Sequence, residues 1–372
     1  MKTALICDQL TGYGEQSRII DCFLDIFPDA DIFTFFLLPS AVPERIVGRV
    51  KQVSVLQKLP FWRHDPLKYR ALMPWASELF ELSGYDAVIS ISEFAAKGVI
   101  TMPKTVHFTY IIGLMNCAWE YGNAPGIYSG IKGIIRSMTG TYLRLWDTVS
   151  TKRCDYMIAS SGYIKEKIAK YYDINADTIL PPVDTERFGK AGPAGEGEYY
   201  LIRSALIRQK DLRYALRTFA ANGKPLLVTR TDHVDEYILK KAVNSPNIRF
   251  IKDPGLNDLA LYGKAKAFIS PGAEDIGLHL AEAAACGTPV IALNAGAAPE
   301  ILNGRNGILF PKADEGSLNA ALDELESSSL EETGIVSSVS HFSRDRFRNT
   351  FWEYFNLKMN AHSEIIRSVH GR

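Results

Sequence analysis

The stretch of this 372-residue chain best equipped for chemistry runs from Phe268 to Phe310 and reads FISPGAEDIGLHLAEAAACGTPVIALNAGAAPEILNGRNGILF. Its pattern predicts a strand ending at Ser270, a Pro-Gly turn, a helix from near Gly277 to Cys286, and a second strand once Gly287, Thr288 and Pro289 have stopped that helix. Ligands of open α/β sheets gather at the carboxyl ends of strands, and the free N–H groups of a helix start favour an anion such as a diphosphate. Glu282 is the only charged residue between Gly277 and Gly287. Among Leu278, Leu280 and four alanines it predicts a largely buried carboxylate, which needs a partner. Two partners fit: water at a helix edge, or the hydroxyls of a ligand. His279 lies three residues before Glu282 and can share its face, with a core or surface histidine as the plainer reading. Cys286 reads as a small packing residue, because nothing nearby would activate a thiolate. His107, in TVHFTY, reads as a strand residue facing a polar edge.

The elements that must position these residues alternate between short apolar runs and helical patterns, the mark of βαβ units with parallel sheets covered on both faces. Strands are predicted at Thr3–Cys7, Asp31–Phe36, Ala87–Ser92, Thr105–Ile111 and Asp155–Ser160, then at Tyr199–Ser204, Pro225–Thr229, Asn247–Ile251, Lys266–Ser270 and Thr288–Leu293. Helical patterns fall at Glu15–Leu24, Pro74–Leu82 and Gly162–Tyr172. The two series make two sheets. Between them PPVDTERFGKAGPAGEGEYY carries Pro181, Pro182, Pro193 and several glycines, which argue against both helix and central strand. The expected organisation is a first domain over 1–185, a linker over 186–198 and a second domain over 199–342. A helix over 343–360, with Phe347, Phe351 and Phe355 at spacing four, packs back on the first domain.

Lys plus Arg and Asp plus Glu number 42 each, so the overall charge selects no polyanion, and nucleic acid is not an expected partner. The five cysteines are scattered and form no C-x-x-C pair, which argues against a disulfide framework and a zinc site and fits a reducing compartment. No stretch approaches the roughly twenty apolar residues that span a bilayer. Ile127–Leu145 and Pro60–Arg70 each mix apolar, aromatic and basic residues. Each fits either a membrane interface or a helix packed on its own domain with a solvated basic face.

Glu274, seven residues and then Glu282, followed by ACGTPVIA, resembles the E-x7-E signature of retaining GT-B glycosyltransferases, in particular glycosyltransferase family 4. The resemblance implies two Rossmann-like, doubly wound parallel-sheet domains facing a central cleft, with a C-terminal helix returning to the first. It implies that Glu274 lies near the transferred sugar and that Glu282 bonds the ribose of the nucleotide. Backbone amides from Asp275 to Leu280, hence those of Ile276, Gly277 and Leu278, would hold sugar and phosphates. AGAAPEILNGRNGILFP resembles the family's glycine-rich loop and close, with Glu300 and Gly307 matching. LTGYG, ending at Gly14, resembles its first loop, and LRLWDTVSTKRCDYMIASS and ILPPVDTERF resemble the run into the linker. Taken together these segments look most like bacterial mannosyltransferases of O-antigen or exopolysaccharide synthesis.

Four places depart from the family pattern. Where the family carries S-R-L-x-x-x-K to grip the donor diphosphate, this chain reads SALIRQK: Lys210 is kept, Ala205 replaces the arginine, and Arg203 and Arg208 lie nearby. Ile112 and Asn116 stand where relatives carry a histidine and an arginine. Gly14 is followed by Glu15, whose carboxylate would repel a phosphate, and LLVTRTD replaces a G-x-G turn.

The expected activity is transfer of a hexose, mannose foremost, from a nucleoside diphosphate sugar to a glycan or lipid-linked acceptor, with retention. The alternatives are a catalytically degenerate homologue acting as partner or regulatory subunit of another glycosyltransferase, and a GT-B sugar-nucleotide epimerase. Glu274 and Lys210 are the expected catalytic residues, and Glu282, Ile276, Gly277, Leu278, Arg208 and Gly14 the expected donor-binding set. No metal and no cofactor is expected: Asp253 and Asp258 read as surface residues, and positive protein groups would stabilise the leaving diphosphate. The expected place is the cytoplasm, with peripheral contact on the inner face of the cell membrane.

Overall fold

The apolar runs become strands buried on both faces, in two sheets that are parallel throughout. The structure, a computed structural model, describes residues 1–63, 66–119, 130–190, 197–203, 208–230, 245–252 and 259–370. The chain divides into two compact units, Met1–Leu180 with Phe347–Arg372, and Pro181–Arg346.

The first unit holds β1 (Thr3–Cys7), β2 (Asp31–Thr34), β3 (Val50–Val53), β4 (Ala87–Ser92), β5 (Val106–Ile111), β6 (Tyr156–Ala159) and β7 (Asp177–Thr178), in the order β3-β2-β1-β4-β5-β6-β7. The second holds β8 (Tyr199–Arg203), β9 (Leu226–Arg230), β10 (Ile248–Lys252), β11 (Ala265–Ser270), β12 (Val290–Leu293) and β13 (Gly307–Phe310), in the order β10-β9-β8-β11-β12-β13. In both sheets the winding reverses beside the first strand, between β1 and β4 and between β8 and β11. Such a reversal opens a crevice at the carboxyl ends of the two strands. Among the described residues the helices of eight residues or more are α1 (Glu15–Ile26), α2 (Gly130–Ser150), α3 (Gly162–Tyr172), α4 (Gln209–Asn222), α5 (Leu278–Ala285), α6 (Glu315–Ser327) and α7 (Arg344–His370).

At the first reversal the buried carboxylate of Asp8 accepts the backbone N–H groups of Glu93, Phe94, Ala95 and Ala96 at 2.7 to 2.8 Å. These bonds tie the end of β1 to the turn after β4. Helix α2 is anchored by a second buried cluster: Lys97 pairs with Asp147, which also accepts from Trp119 Nε1 and the Tyr172 hydroxyl, each at 2.7 Å. Helix α7 lays Phe347, Phe351 and Phe355 against Phe23, Phe27 and Phe108, with ring centroids 4.7 to 5.3 Å apart. The C-terminal helix therefore returns to the first unit, and it runs ten residues beyond the predicted end at 360.

Three local expectations change. The helix predicted over Pro74–Leu82 is only Met73–Ser77, because Leu79 O and Glu81 N bond the side chain of Gln52 on the edge strand β3 instead of continuing the helix. Thr185–Gly189 form a short helix inside the Pro- and Gly-rich stretch, started by the Asp184 carboxylate accepting Arg187 N–H at 3.0 Å. The second unit takes in this helix, with Phe188 edge-on to Tyr262 at 6.0 Å. His107 faces no polar edge: it is fully buried in β5, 2.8 Å from Ser90 Oγ, and burial pushes its pKa down to about 4. Pro193, Ala205, Asp253, Asp258, the last two residues of LLVTRTD and the start of the Ile127–Leu145 stretch lie outside the described residues.

Candidate active site

The reversal in the second sheet brings two chain segments together, the approach to α4 after β8 and the loop between β11 and α5. Tyr214 of α4 donates its hydroxyl to the Pro271 carbonyl, and a Cβ on Gly272 would lie 3.0 Å from Asp211 Oδ2. Arg208, at the start of α4, donates Nε–H to Asp211 at 2.9 Å. It stands directly ahead of the helix. Lys210 lies in the first turn of α4 and is exposed.

Glu274 sits in the loop after β11. Its carboxylate accepts from the Ser270 hydroxyl, and its carbonyl accepts Ala297 N–H at 2.9 Å. Its backbone bridges to Gly296, whose φ of 68° and lack of a side chain are both required, since a Cβ there would lie 2.3 Å from Glu274 O. The residue keeps partial contact with solvent, yet its carboxyl is enclosed enough that burial, reinforced by neighbouring Asp275 and opposed by the Ser270 bond, raises its pKa to about 7. Such a group exchanges a proton near neutrality.

Gly277 precedes α5 with φ 64°, where a Cβ would meet Ile301 Cδ1 at 2.4 Å. Ile276 and Leu278 are buried. Glu282 does not reach solvent at a helix edge: it is 1% exposed. His279 Nδ1 is 2.8 Å from its Oε2, and the Tyr262 hydroxyl donates to the same oxygen at 3.4 Å. The Tyr262 hydroxyl is 3.0 Å from His279 Nδ1, and Arg203 at the end of β8 donates to it at 3.3 Å. The carboxylate thus belongs to a buried cluster of Arg203, Tyr262, His279 and Glu282. Spacing placed His279 beside Glu282, and Arg203 was marked as a nearby cation. Tyr262 carries no local signal, because it arrives from a separate short helix, Leu259–Gly263.

The remaining matched positions separate into framework and surface. Gly307 fits because a Cβ would strike Val290 O at 1.9 Å, which makes it a sheet-packing glycine, and Glu300 is exposed. In the first unit Gly14 flanks α1 in an extended conformation with nothing within 4 Å of an added Cβ. Ile112 is buried just after β5, and Asn116 begins a short helix.

Residues 204–328 match the family described as Glycosyl transferases group 1. The O-antigen chain mannosyltransferase RfbU of Salmonella typhimurium strain LT2 is 26% identical over 200 residues, covering 50% of this chain and 55% of that protein. The match thus spans about half the length of that curated relative. Among solved structures, sucrose-phosphate synthase of Thermosynechococcus elongatus superposes with a TM-score of 0.67 at 15% identity over 99% of this chain and 100% of that one. HepE of Anabaena in complex with UDP and glucose gives 0.65 at 13% identity over 96% and 100%. At these identities the superpositions establish the fold, which is GT-B.

Proposed function

We propose that this chain, which carries a glycosyl transferases group 1 domain in a GT-B fold, is a retaining glycosyltransferase. It moves a hexose, mannose foremost, from a nucleoside diphosphate sugar to a glycan or lipid-linked acceptor of cell-surface polysaccharide. The observation that carries this reading is Glu274, a carboxyl with pKa near 7 fixed after the carboxyl end of β11, in a loop whose Pro271 and Gly272 lie against Tyr214 and Asp211 of the helix that bears Lys210. The likeness of residues 204–328 to group 1 transferases and of half the chain to a mannosyltransferase supports the substrate class.

In this reading the leaving diphosphate gathers charge as the sugar departs, and Lys210, Arg208 and the N–H groups of Ile276, Gly277 and Leu278 stabilise it. Arg208 must exchange its contact with Asp211 for the phosphate. Glu274 lies by the sugar. Glu282 bonds the ribose, which takes the place of its 3.4 Å contact with Tyr262. No helix among the described residues is long and apolar enough to cross a membrane. Access to a lipid-linked acceptor is then peripheral, on the inner face of the membrane, through Pro60–Arg70, where Phe61, Arg63 and Lys68 are exposed.

Binding of the purified chain to GDP-, UDP- and dTDP-linked sugars tests this directly. One donor binds, Glu282→Ala weakens it, and Lys210→Ala lowers kcat by about 10²–10³ with a smaller change in KM. Unchanged nucleotide affinity in Glu282→Ala removes Glu282 from the donor site. A second reading, a degenerate homologue serving as partner or regulatory subunit, draws on Ala205, Ile112 and Asn116 in place of two arginines and a histidine. It requires that no donor bind and that an intact transferase co-purify. Conversion of a lone nucleotide sugar without acceptor would instead identify an epimerase.

A further inference from the structure

A carboxylate as buried as that of Glu282 points where the groups that donate to it hold its oxygens. His279 Nδ1 lies 2.8 Å from Oε2, and the Tyr262 hydroxyl lies 3.4 Å from the same atom. The first is a full hydrogen bond, whereas the second is longer than the roughly 2.5–3.0 Å of a good O–H···O bond. A carboxylate only accepts, so Nδ1 carries a proton and donates it to Oε2. A protonated Nδ1 cannot also accept. The guanidinium of Arg203, 3.4 Å from Nδ1 and 3.3 Å from the Tyr262 oxygen, therefore donates to Tyr262 and not to His279.

The two donors to Oε2 differ in how they are held. His279 stands three residues before Glu282 in α5, so the bond between them is set by the helix itself. Tyr262 is locked from outside: its ring lies edge-on to Phe188 and Phe268, with centroids 6.0 and 5.6 Å away, and its carbonyl accepts from Thr288 Oγ1 at 2.7 Å. Its hydroxyl proton can still turn about the C–O bond. A ribose hydroxyl both donates and accepts. On reaching Oε2 it donates to the carboxylate and accepts the Tyr262 proton, while Arg203 keeps its bond to the Tyr262 oxygen. The bond from His279 persists throughout and keeps Oε2 in place.

We propose that His279 is a positioning residue of the donor site, holding Glu282 so that the nucleotide is selected by its ribose hydroxyls. This role rests on the donor reading proposed above, in which Glu282 bonds the ribose. Isothermal titration of the full chain with UDP, GDP and dTDP, and with the 2′,3′-dideoxy counterpart of whichever binds, gives the ratio of the two affinities. Wild type should prefer the hydroxylated nucleotide by about tenfold to a hundredfold, the range of hydrogen bonds to a charged group. His279→Leu should bring the ratio close to one. His279→Asn, whose side-chain amide donates from near the place of Nδ1, should restore most of it. Tyr262→Phe should change the ratio far less than His279→Leu, since the bond lost to the ribose is offset by the loss of a competitor for Oε2. A variant that folds poorly loses both affinities alike and keeps the ratio, so misfolding cannot imitate the result. A ratio that survives His279→Leu, or that falls as far in Tyr262→Phe, overturns the role of His279. A wild-type ratio near one overturns it too, while binding of the nucleoside diphosphate leaves the donor reading standing. If none of the three nucleotides binds, the donor reading fails and the role of His279 with it.

Discussion

Glu274 sits in an environment that moves it far from what its type would show in water, and the departure can be measured without knowing the substrate. Its pKa rises from 4.5 to about 7, chiefly through burial. Between those values the folded chain holds a proton that the unfolded chain has lost, so stability falls as pH rises from 4.5 to 7 and stays reduced above. Glu274→Gln removes the ionisation and keeps the shape. The variant should melt higher than the wild type at pH 8, by a few degrees on the scale of roughly 2–4 °C per kcal/mol for units of this size, and the difference should vanish near pH 5. Equal melting temperatures across the range would mean that the carboxyl is solvated. Glu282 gives the opposite lesson. Its type and position mark it as a carboxylate in want of a partner, and His279 and Tyr262 are among the partners it finds.

At the scale of elements, the loop that carries Glu274 owes its shape to the loop after β12. Gly296 and Gly304 both adopt positive φ, 68° and 75°, but only Gly296 lies against backbone, whereas a Cβ on Gly304 would meet nothing within 4 Å. Gly304→Ala should therefore cost about 1–3 kcal/mol from left-handed backbone alone. Gly296→Ala should cost clearly more, since Glu274 O and N must also move away. Urea denaturation compares the two, and donor affinity should fall only in Gly296→Ala. An equal cost would show that the bridge between Gly296 and Glu274 is loose. The buried strands of both sheets were legible in the sequence because runs such as AVISIS and VIAL are apolar throughout. β3, β7 and β13 were not predicted: VKQV and DT offer no apolar run, GILF is a four-residue run that opens on glycine, and all three are strands by pairing at the outer part of a sheet. The E-x7-E segment likewise gave away the loop and the helix start. The cluster around Glu282 stayed hidden because Arg203, Tyr262 and His279 meet only when β8, the helix at Leu259–Gly263 and α5 are packed together.

At the scale of the whole molecule, the chain crosses from one unit to the other and returns, so the last helix stabilises the first sheet. Phe351 is fully buried and meets Phe23 at 4.7 Å and Phe27 at 6.4 Å, both in α1 or at its end, while Phe355 reaches Phe108 of β5. These rings belong to the unit of Met1–Leu180 with Phe347–Arg372, and none belongs to Pro181–Arg346. Truncating Phe351 to alanine removes a large apolar side chain and leaves a cavity between α1 and α7, at a cost of about 3–5 kcal/mol. The cost should fall on one unit. Differential scanning calorimetry of Phe351→Ala should show a transition moved to lower temperature and a second close to its wild-type position, which identifies the second as the unit holding Glu274. Added nucleotide sugar should raise only that second transition if the donor is held by the second unit, since a ligand stabilises what it binds. A single transition that falls as a whole would show that the two units melt as one body, and the stability of the donor site would then depend on the aromatic contacts of α7.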